Sequence, residues 1–296
     1  MEPALMQVRL HDVGFPLLTA AADWCPFEQE SIYGFLLKDQ EVSRSPEEEG
    51  TGRRVIASYV HPQLPAAWAG LKLGDHVIEV NANIVTGDSA DNTMRLVRRL
   101  TMARIQPLQL VVLSEGNRRL LTMWAVPACQ FSLRVIKSEQ INGVSNGREV
   151  AVTTGAMRFF PSDDELAWVL AHEIAHNVLS HVQNAKLRAM LSAFLGATVG
   201  TSAVVSEAPP QRSLEAQADY LGSYLMARAG YDLQAVRQVW HRLGRIESQQ
   251  VNPSREMTLT HPTTAERLAA FDVTLKEIEA KRDRGELLQP LLEKTP

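Results

Sequence analysis

Only two cysteines, Cys25 and Cys129, occur in 296 residues. Neither belongs to a C-x-x-C pair, so a thiolate metal site or a C-x-x-C redox motif is excluded. What remains is one disulfide or two buried thiols, and spacing alone does not choose between them. Positive charge is not in excess either. Lys and Arg number 30 against 34 Asp and Glu, a net charge of −4. Nothing in that balance points to a nucleic-acid partner. The opening Met1–Met6 has neither a basic segment nor an apolar core, so it does not read as a secretory signal. A full-length apolar span is also lacking. An uncharged stretch, 189–205, has 17 residues, somewhat fewer than the roughly 20 a membrane helix needs. Gly196 and Gly200 weaken it further as a helical span. A hydrophobic content of 45% and a charged content of 22% are those of an ordinary globular protein, long enough for one large domain or two small ones.

What is present is one dense motif, Ala171-His172-Glu173-Ile174-Ala175-His176, which reads H-E-x-x-H. Two histidines four apart share one helix face, one turn from each other. That places two imidazoles where a tetrahedral zinc takes them, at about 2.0–2.1 Å. Glu173 stands on the flank of that face, where it can take a proton from a water in the open position. Context supports a helix. Ser162-Asp163-Asp164-Glu165 is an S-x-x-E capping box after Pro161, and Leu166, Val169, Leu170, Ile174 and Val178 recur at helical spacing. The bland alternative is a core helix with two hydrogen-bonded histidines.

A catalytic zinc needs a third protein ligand and one open position. The long form of the motif would place Gly at 179 and His at 182, but Leu179 and Val182 stand there. His181 faces roughly the other side of the helix. A later segment, Ser213 to Tyr220, offers carboxylates instead. Ser213 is a candidate cap, Leu214, Ala218, Leu221 and Leu225 form an apolar stripe, and Gly230 is a stop signal. Glu215 and Asp219 are i and i+4 on one face. One can bind the metal and the other can hold a ligand histidine by its free N–H. Alone, the pair would read as solvated helix charges.

H-E-x-x-H followed by E-x-x-x-D resembles the gluzincin zinc metallopeptidases of the HtpX, BepA and CAAX prenyl protease type. Asp164 to His176 is similar to that family's metal helix throughout. Ile141-Asn142-Gly143 and Val150 to Gly155 resemble its N-A segment and the strand before the helix, with Gly143 where Ala is usual. His261-Pro262-Thr263-Thr264-Ala265-Glu266-Arg267 resembles its H-P-x-x-x-x-R element. The resemblance implies one Zn2+ per chain on His172, His176 and Glu215, with Glu173 as general base. It implies that Asp219 and Arg267 support the ligands and that His261 lies over the metal. It further implies that Asn142, Val150 and Val152 line an edge strand that holds a polypeptide substrate by strand addition.

Residues 31–128 have a different texture: short strands, tight turns and one helix at about 89–100. Ala69-Gly70-Leu71-Lys72-Leu73-Gly74-Asp75-His76-Val77-Ile78-Glu79-Val80-Asn81 resembles the A-G-L-x-x-G-D-x-V-x-x-V-N signature of PDZ domains. Gly34-Phe35-Leu36-Leu37 sits where their carboxylate-binding loop would be, implying a groove for a peptide C-terminus or an added strand. The expected fold class is therefore α+β: a mainly helical zincin-type metalloprotease domain with a small edge sheet (129–296), and an inserted PDZ-like β-rich domain (31–128). Residues 1–30 form a lead that packs on the protease domain, with Pro16 interrupting any early helix. The 189–205 stretch reads as a helix-loop over the site or a protomer contact ahead of a membrane contact. Residues 276–296 read as an exposed helix and a loose tail. Relatives with such a module are often exported, so the expected location is periplasmic or otherwise exported, with cytoplasmic as the alternative. The expected function is a zinc endopeptidase acting on polypeptides, misfolded or envelope proteins among them. The rivals are a chaperone-like or adaptor protein with a latched zinc site, and a metal-dependent hydrolase of a small substrate.

Overall fold

The computed structural model describes residues 2–26, 28–41, 53–102, 107–195, 211–249 and 264–291. The protein divides into two compact units, 28–129 and the pair of segments 1–27 with 130–296. The architecture is α+β.

The first element is α1 (Pro3–Ala20), which runs straight through Pro16. The expected break does not occur. An internal proline removes one helix hydrogen bond, but Met6, Leu10, Val13, Leu17 and Leu18 are all buried on one side, and that burial outweighs the lost bond.

The 28–129 unit holds β1 (Gln29–Ile32), β2 (Phe35–Glu41), β3 (Arg53–Val60), α2 (Pro65–Trp68), β4 (His76–Val80), β5 (Asn83–Ile84), α3 (Ala90–Met102), β6 (Leu108–Ser114), β7 (Asn117–Met123) and β8 (Val126–Cys129). Its main sheet has the order β2-β3-β4-β6-β7, with β5 on β4, while β1 pairs β8. Strands β1 and β2 are separated at Gly34, which takes φ +80 and turns the backbone between them. Tyr33, Phe35, Val77, Val80, Val97, Leu110 and Val112 fill the core under α3. Cys25 and Cys129 are disulfide-bonded.

The other unit continues with β9 (Ser132–Ile136), β10 (Gly143–Ser145), β11 (Glu149–Thr153), α4 (Thr154–Phe159), α5 (Asp163–Leu195), α6 (Gln211–Ala229), α7 (Gln234–Gln249) and α8 (Thr264–Asp283). The long helix α5 packs against α6, α1 and α7. Its start is held from three sides. Ser162 Oγ accepts the Glu165 N–H at 3.2 Å, one half of the expected capping box. The Glu165 carboxylate makes an ion pair with Arg242 of α7. Arg9 of α1 donates to Asp163 Oδ1 at 2.8 Å and to the carbonyls of Met157, Phe160 and Ser162 at 3.2, 2.9 and 2.7 Å.

Two further expectations change. Helix α6 begins at Gln211, so Ser213 lies inside it and is no cap. Asp232 Oδ1 does accept the Gln234 N–H at the start of α7. The C-terminal helix is not exposed all round, although 282–287 beyond its buried side are exposed. Phe271, Leu275 and Ile278 of α8 are buried, and Lys281 is only 9% exposed. Lys281 Nζ donates to Tyr224 Oη, Glu277 Oε1 and the Gln289 carbonyl. Leu291 N–H in turn donates to Tyr220 Oη. Among the described residues no helix is long and apolar enough to cross a membrane. The 189–205 stretch lies outside the described residues from 196 onward.

Replacing Arg9 removes hydrogen bonds to three carbonyls and one carboxylate at once. Arg9→Ala is expected to lower unfolding stability by about 2–3 kcal/mol, the loss typical of charged hydrogen bonds. Urea unfolding followed by helix circular dichroism measures it, and an unchanged midpoint would refute the staple. His11 adds a pH dependence. Burial, against the opposing charge of Asp12 and a backbone hydrogen bond at Leu133, lowers its pKa from 6.5 to about 4. A depressed histidine pKa means stability is complete above pH 6.5 and is lost as pH falls towards 4. Between pH 7 and 4, His11 should account for a loss on the order of 3 kcal/mol, seen as a shallower pH slope of the urea midpoint in His11→Gln.

Candidate metal centre

The site is made where α5 meets α6. The two helices approach closely because position 222 is glycine. A Cβ there would lie 3.2 Å from the His172 backbone nitrogen and 3.3 Å from the Ala171 carbonyl carbon. That closeness brings the carboxylates of α6 onto the histidine face of α5.

His172 Nε2 and His176 Nε2 lie 3.1 Å apart. Glu215 Oε2 is 3.3 Å from the first and Oε1 is 3.3 Å from the second. Two ligands about 2.05 Å from a tetrahedral ion stand roughly 3.3 Å apart. Two imidazoles and one carboxylate at this spacing therefore fit a zinc-type ion with one position left open. His172 Nδ1, the other ring nitrogen, is 2.9 Å from Asp219 Oδ1. That contact leaves Nε2 for the ion and fixes the ring. Asp219 is held in turn by the Arg267 fork, Nε to Oδ2 at 2.7 Å and Nη2 to Oδ1 at 2.6 Å. The Arg267 guanidinium lies 3.9 Å over the Trp240 ring of α7, and Trp240 meets Trp168 edge-on.

Charge in this cluster is strongly biased. Burial disfavours a charged His172, but the hydrogen bonds from Asp219 and Glu215 outweigh it and raise the imidazole to about 9. Burial likewise opposes a charged Asp219, while His172 and Arg267 hold its carboxyl below the usual range. The field that favours a proton on His172 favours a metal ion in its place, and metal uptake would release that proton.

Glu173 is not part of the ligand triangle. Its Oε2 accepts the Ser145 Oγ–H of β10 at 2.8 Å. The other expected site residues fall as follows. Arg267 joins the cluster through Asp219. His261 lies outside the described residues. Asn142 precedes β10 with its side chain exposed, and its backbone is engaged by Thr153. Val150 and Val152 require correction. Their strand, β11, is the middle one of three, antiparallel to β10 and parallel to β9. Both side chains are fully buried, so neither can line a free edge. The outer strand beside α5 is β10. Sequence reasoning also missed Trp240, Ser145 and Asn177. Only Asn177 carried a local signal, one turn past Glu173 on the same helix.

The model of Peptidase family M48 matches residues 112–274, more than half of the sequence. The chain belongs to this family. Two relatives are mitochondrial metalloendopeptidases OMA1. That of Schizosaccharomyces pombe is 27% identical over 186 residues, covering 58% of this chain and 55% of the relative. That of Arabidopsis thaliana is 32% identical over 129 residues, covering 40% of this chain and 26% of the relative. The match thus spans about half the length of one relative and a quarter of the other. Among solved structures, the HtrA-type protease AlgW with a decapeptide is 22% identical over 33% of this chain and 30% of its own, with a TM-score of 0.25. The PDZ domain of EpsC from Vibrio cholerae is 21% identical over 30% of this chain and 93% of its own, with a TM-score of 0.21.

Within this M48 site the Asp219 contact is the one that sets the ligand tautomer. Asp219→Asn is expected to weaken zinc binding about 10–100-fold while leaving the helices intact. Competition with a chromophoric chelator measures this, and an unchanged affinity would remove Asp219 from the metal's support.

Proposed function

We propose that this M48 protein is a zinc-dependent endopeptidase that hydrolyses peptide bonds of polypeptides. The observation that carries the substrate class is β10. It pairs on one side only, with β11, among the described residues, and it runs beside the helix that bears the ligand triangle. A free strand edge at that place takes an extended polypeptide by main-chain hydrogen bonds, a mode unsuited to small substrates.

In this reading His172, His176 and Glu215 would hold the ion, and Asp219 with Arg267 orients His172. Zinc, when bound, supplies Lewis-acid charge that lowers the pKa of water towards 7 and polarises a carbonyl. Glu173 takes the proton of the attacking water and delivers it to the leaving amine. His261 is assigned from the H-P-x-x-x-x-R motif alone, as a donor to the developing oxyanion.

The 28–129 unit is read as PDZ-like. Its outer strand β2 has α3 packed against it, the arrangement in which an extended peptide or the C-terminal end of a polypeptide adds as a further strand. The disulfide-bonded Cys25 and Cys129 support an exported location, because disulfides persist in oxidising compartments. Misfolded or envelope proteins are the substrates proposed for such a location.

The decisive comparison is casein cleavage by the wild type and by Glu173→Gln, both with zinc confirmed at one per protein molecule. Cleavage by the wild type with at least a 100-fold loss in the variant is the expected result. Retention of activity would remove Glu173 as the base. No cleavage by either, with zinc present, would favour a latched polypeptide-binding protein instead.

A further inference from the structure

The hairpin of β10 and β11 is tied to the metal helix by contacts that the ligand set does not use. Asn177, the residue after the H-E-x-x-H motif, is 1% exposed. It accepts the Gly147 N–H through Oδ1 at 2.6 Å and donates to the Glu149 carbonyl through Nδ2 at 3.2 Å. One turn earlier, Glu173 accepts from Ser145. One turn earlier again, Val169 lies under Gly143. A Cβ at Gly143 would meet Val169 Cγ1 at 3.0 Å, Glu173 Cγ at 3.2 Å and Glu173 Oε1 at 3.4 Å.

These contacts form a register. Val169, Glu173 and Asn177 are four residues apart, a spacing of about 6 Å along a helix. Gly143 and Ser145 are two apart on a strand, about 6.7 Å. The two periods nearly match, so alternate strand positions fall on successive helical turns. Val144, between them, points away and is 43% exposed. The backbone alternates in the same way. The Asn142 carbonyl accepts the Thr153 N–H, and the Asn146 N–H donates to the Glu149 carbonyl, so even-numbered residues turn to β11. Antiparallel alternation then turns the N–H and C=O groups of Gly143 and Ser145 to the free edge.

We propose that Asn177 and Ser145 are positioning residues: Asn177 sets the height of the substrate-accepting edge over the metal, and Ser145 ties the aim of Glu173 to that same strand. The proposal rests on the reading of β10 as the substrate strand. Ser145 carries both functions in one residue. Its side chain holds the base while its backbone faces the incoming substrate, so a strand displaced from α5 also releases Glu173. Gly143 lets the strand come close enough for this, since an alanine methyl would press on the Glu173 stem.

Three readouts on the full-length protein test it: zinc content, amide hydrogen exchange over 143–147, and KM and kcat on an internally quenched casein peptide. Asn177→Ala is expected to keep its zinc and to exchange hairpin amides at least about tenfold faster, the effect of losing both of its hydrogen bonds to the hairpin. Its KM should rise about tenfold with a smaller change in kcat. Ser145→Ala should do the opposite, lowering kcat about tenfold with KM little changed, and Ser145→Thr should restore kcat by returning the hydroxyl. Unchanged exchange and KM in Asn177→Ala, or loss of its zinc, would overturn the anchoring role. If Asn177→Ala does not fold, an unchanged kcat in Ser145→Ala overturns the coupling by itself. A wild type without peptide hydrolysis would count against the peptidase reading, while hydrogen exchange would still decide the anchoring.

Discussion

The structure of the site depends on keeping a buried carboxylate charged. Asp219 sits between His172 and Arg267, out of water, and burial by itself would drive it neutral. The Arg267 fork prevents that, and Trp240 holds the guanidinium from the other face. Taking charges out of water is tolerated only where each finds a partner of good geometry. Here the partners form a relay from α7 through α8 and α6 to α5, ending at a ring nitrogen of His172. Helices distant in sequence are thereby committed to one arrangement, and the ligand triangle is one outcome of it.

Helix α5 carries the rest as a spine with different faces for different tasks. One face offers His172 and His176 to the ion. A second, through Val169, Glu173 and Asn177, receives the β10–β11 hairpin. The start of the helix is fixed by Arg9 from α1 and by the pairing of Arg242 with Glu165. A helix that holds the His172–His176–Glu215 cluster on one face and a strand on another cannot roll or slide by even part of a turn without breaking one of them. The polar staples at its start and along its second face resist both motions, in a way that apolar packing, which is non-directional, cannot.

The 28–129 unit obeys simpler rules. Its core is built mainly of Val, Leu, Phe and Tyr, and glycine turns mark its corners. Peptide capture by such a unit and hydrolysis at a site such as α5–α6 both use an extended segment added to a strand edge. The two activities proposed for this protein therefore ask the same thing of a substrate: an unfolded segment with its backbone unpaired.

The helix that carries H-E-x-x-H and the grouping of its two histidines with Glu215 on a later helix were legible in the sequence. Each rests on local spacing: four residues on a helix, two on a strand, or a glycine at a turn. Helix α1 was misread at Pro16 because the local penalty of proline is visible in sequence, whereas the core that outweighs it is not. Val150 and Val152 were placed on an edge because a strand's neighbours cannot be read from its own residues; only the pairing of β9 and β10 on either side makes β11 central. Capping signals held only in part: Ser162 accepts the Glu165 N–H, while Ser213 falls inside α6 and the Glu165 carboxylate turns to Arg242. The sequence by itself determined which residues could bind a metal, since that is a matter of periodicity along one helix. Tertiary structure alone decided which groups support them. Trp240, Ser145 and Arg9 reach the site or its helix across gaps of tens to more than a hundred residues, and no local pattern records a contact made through space.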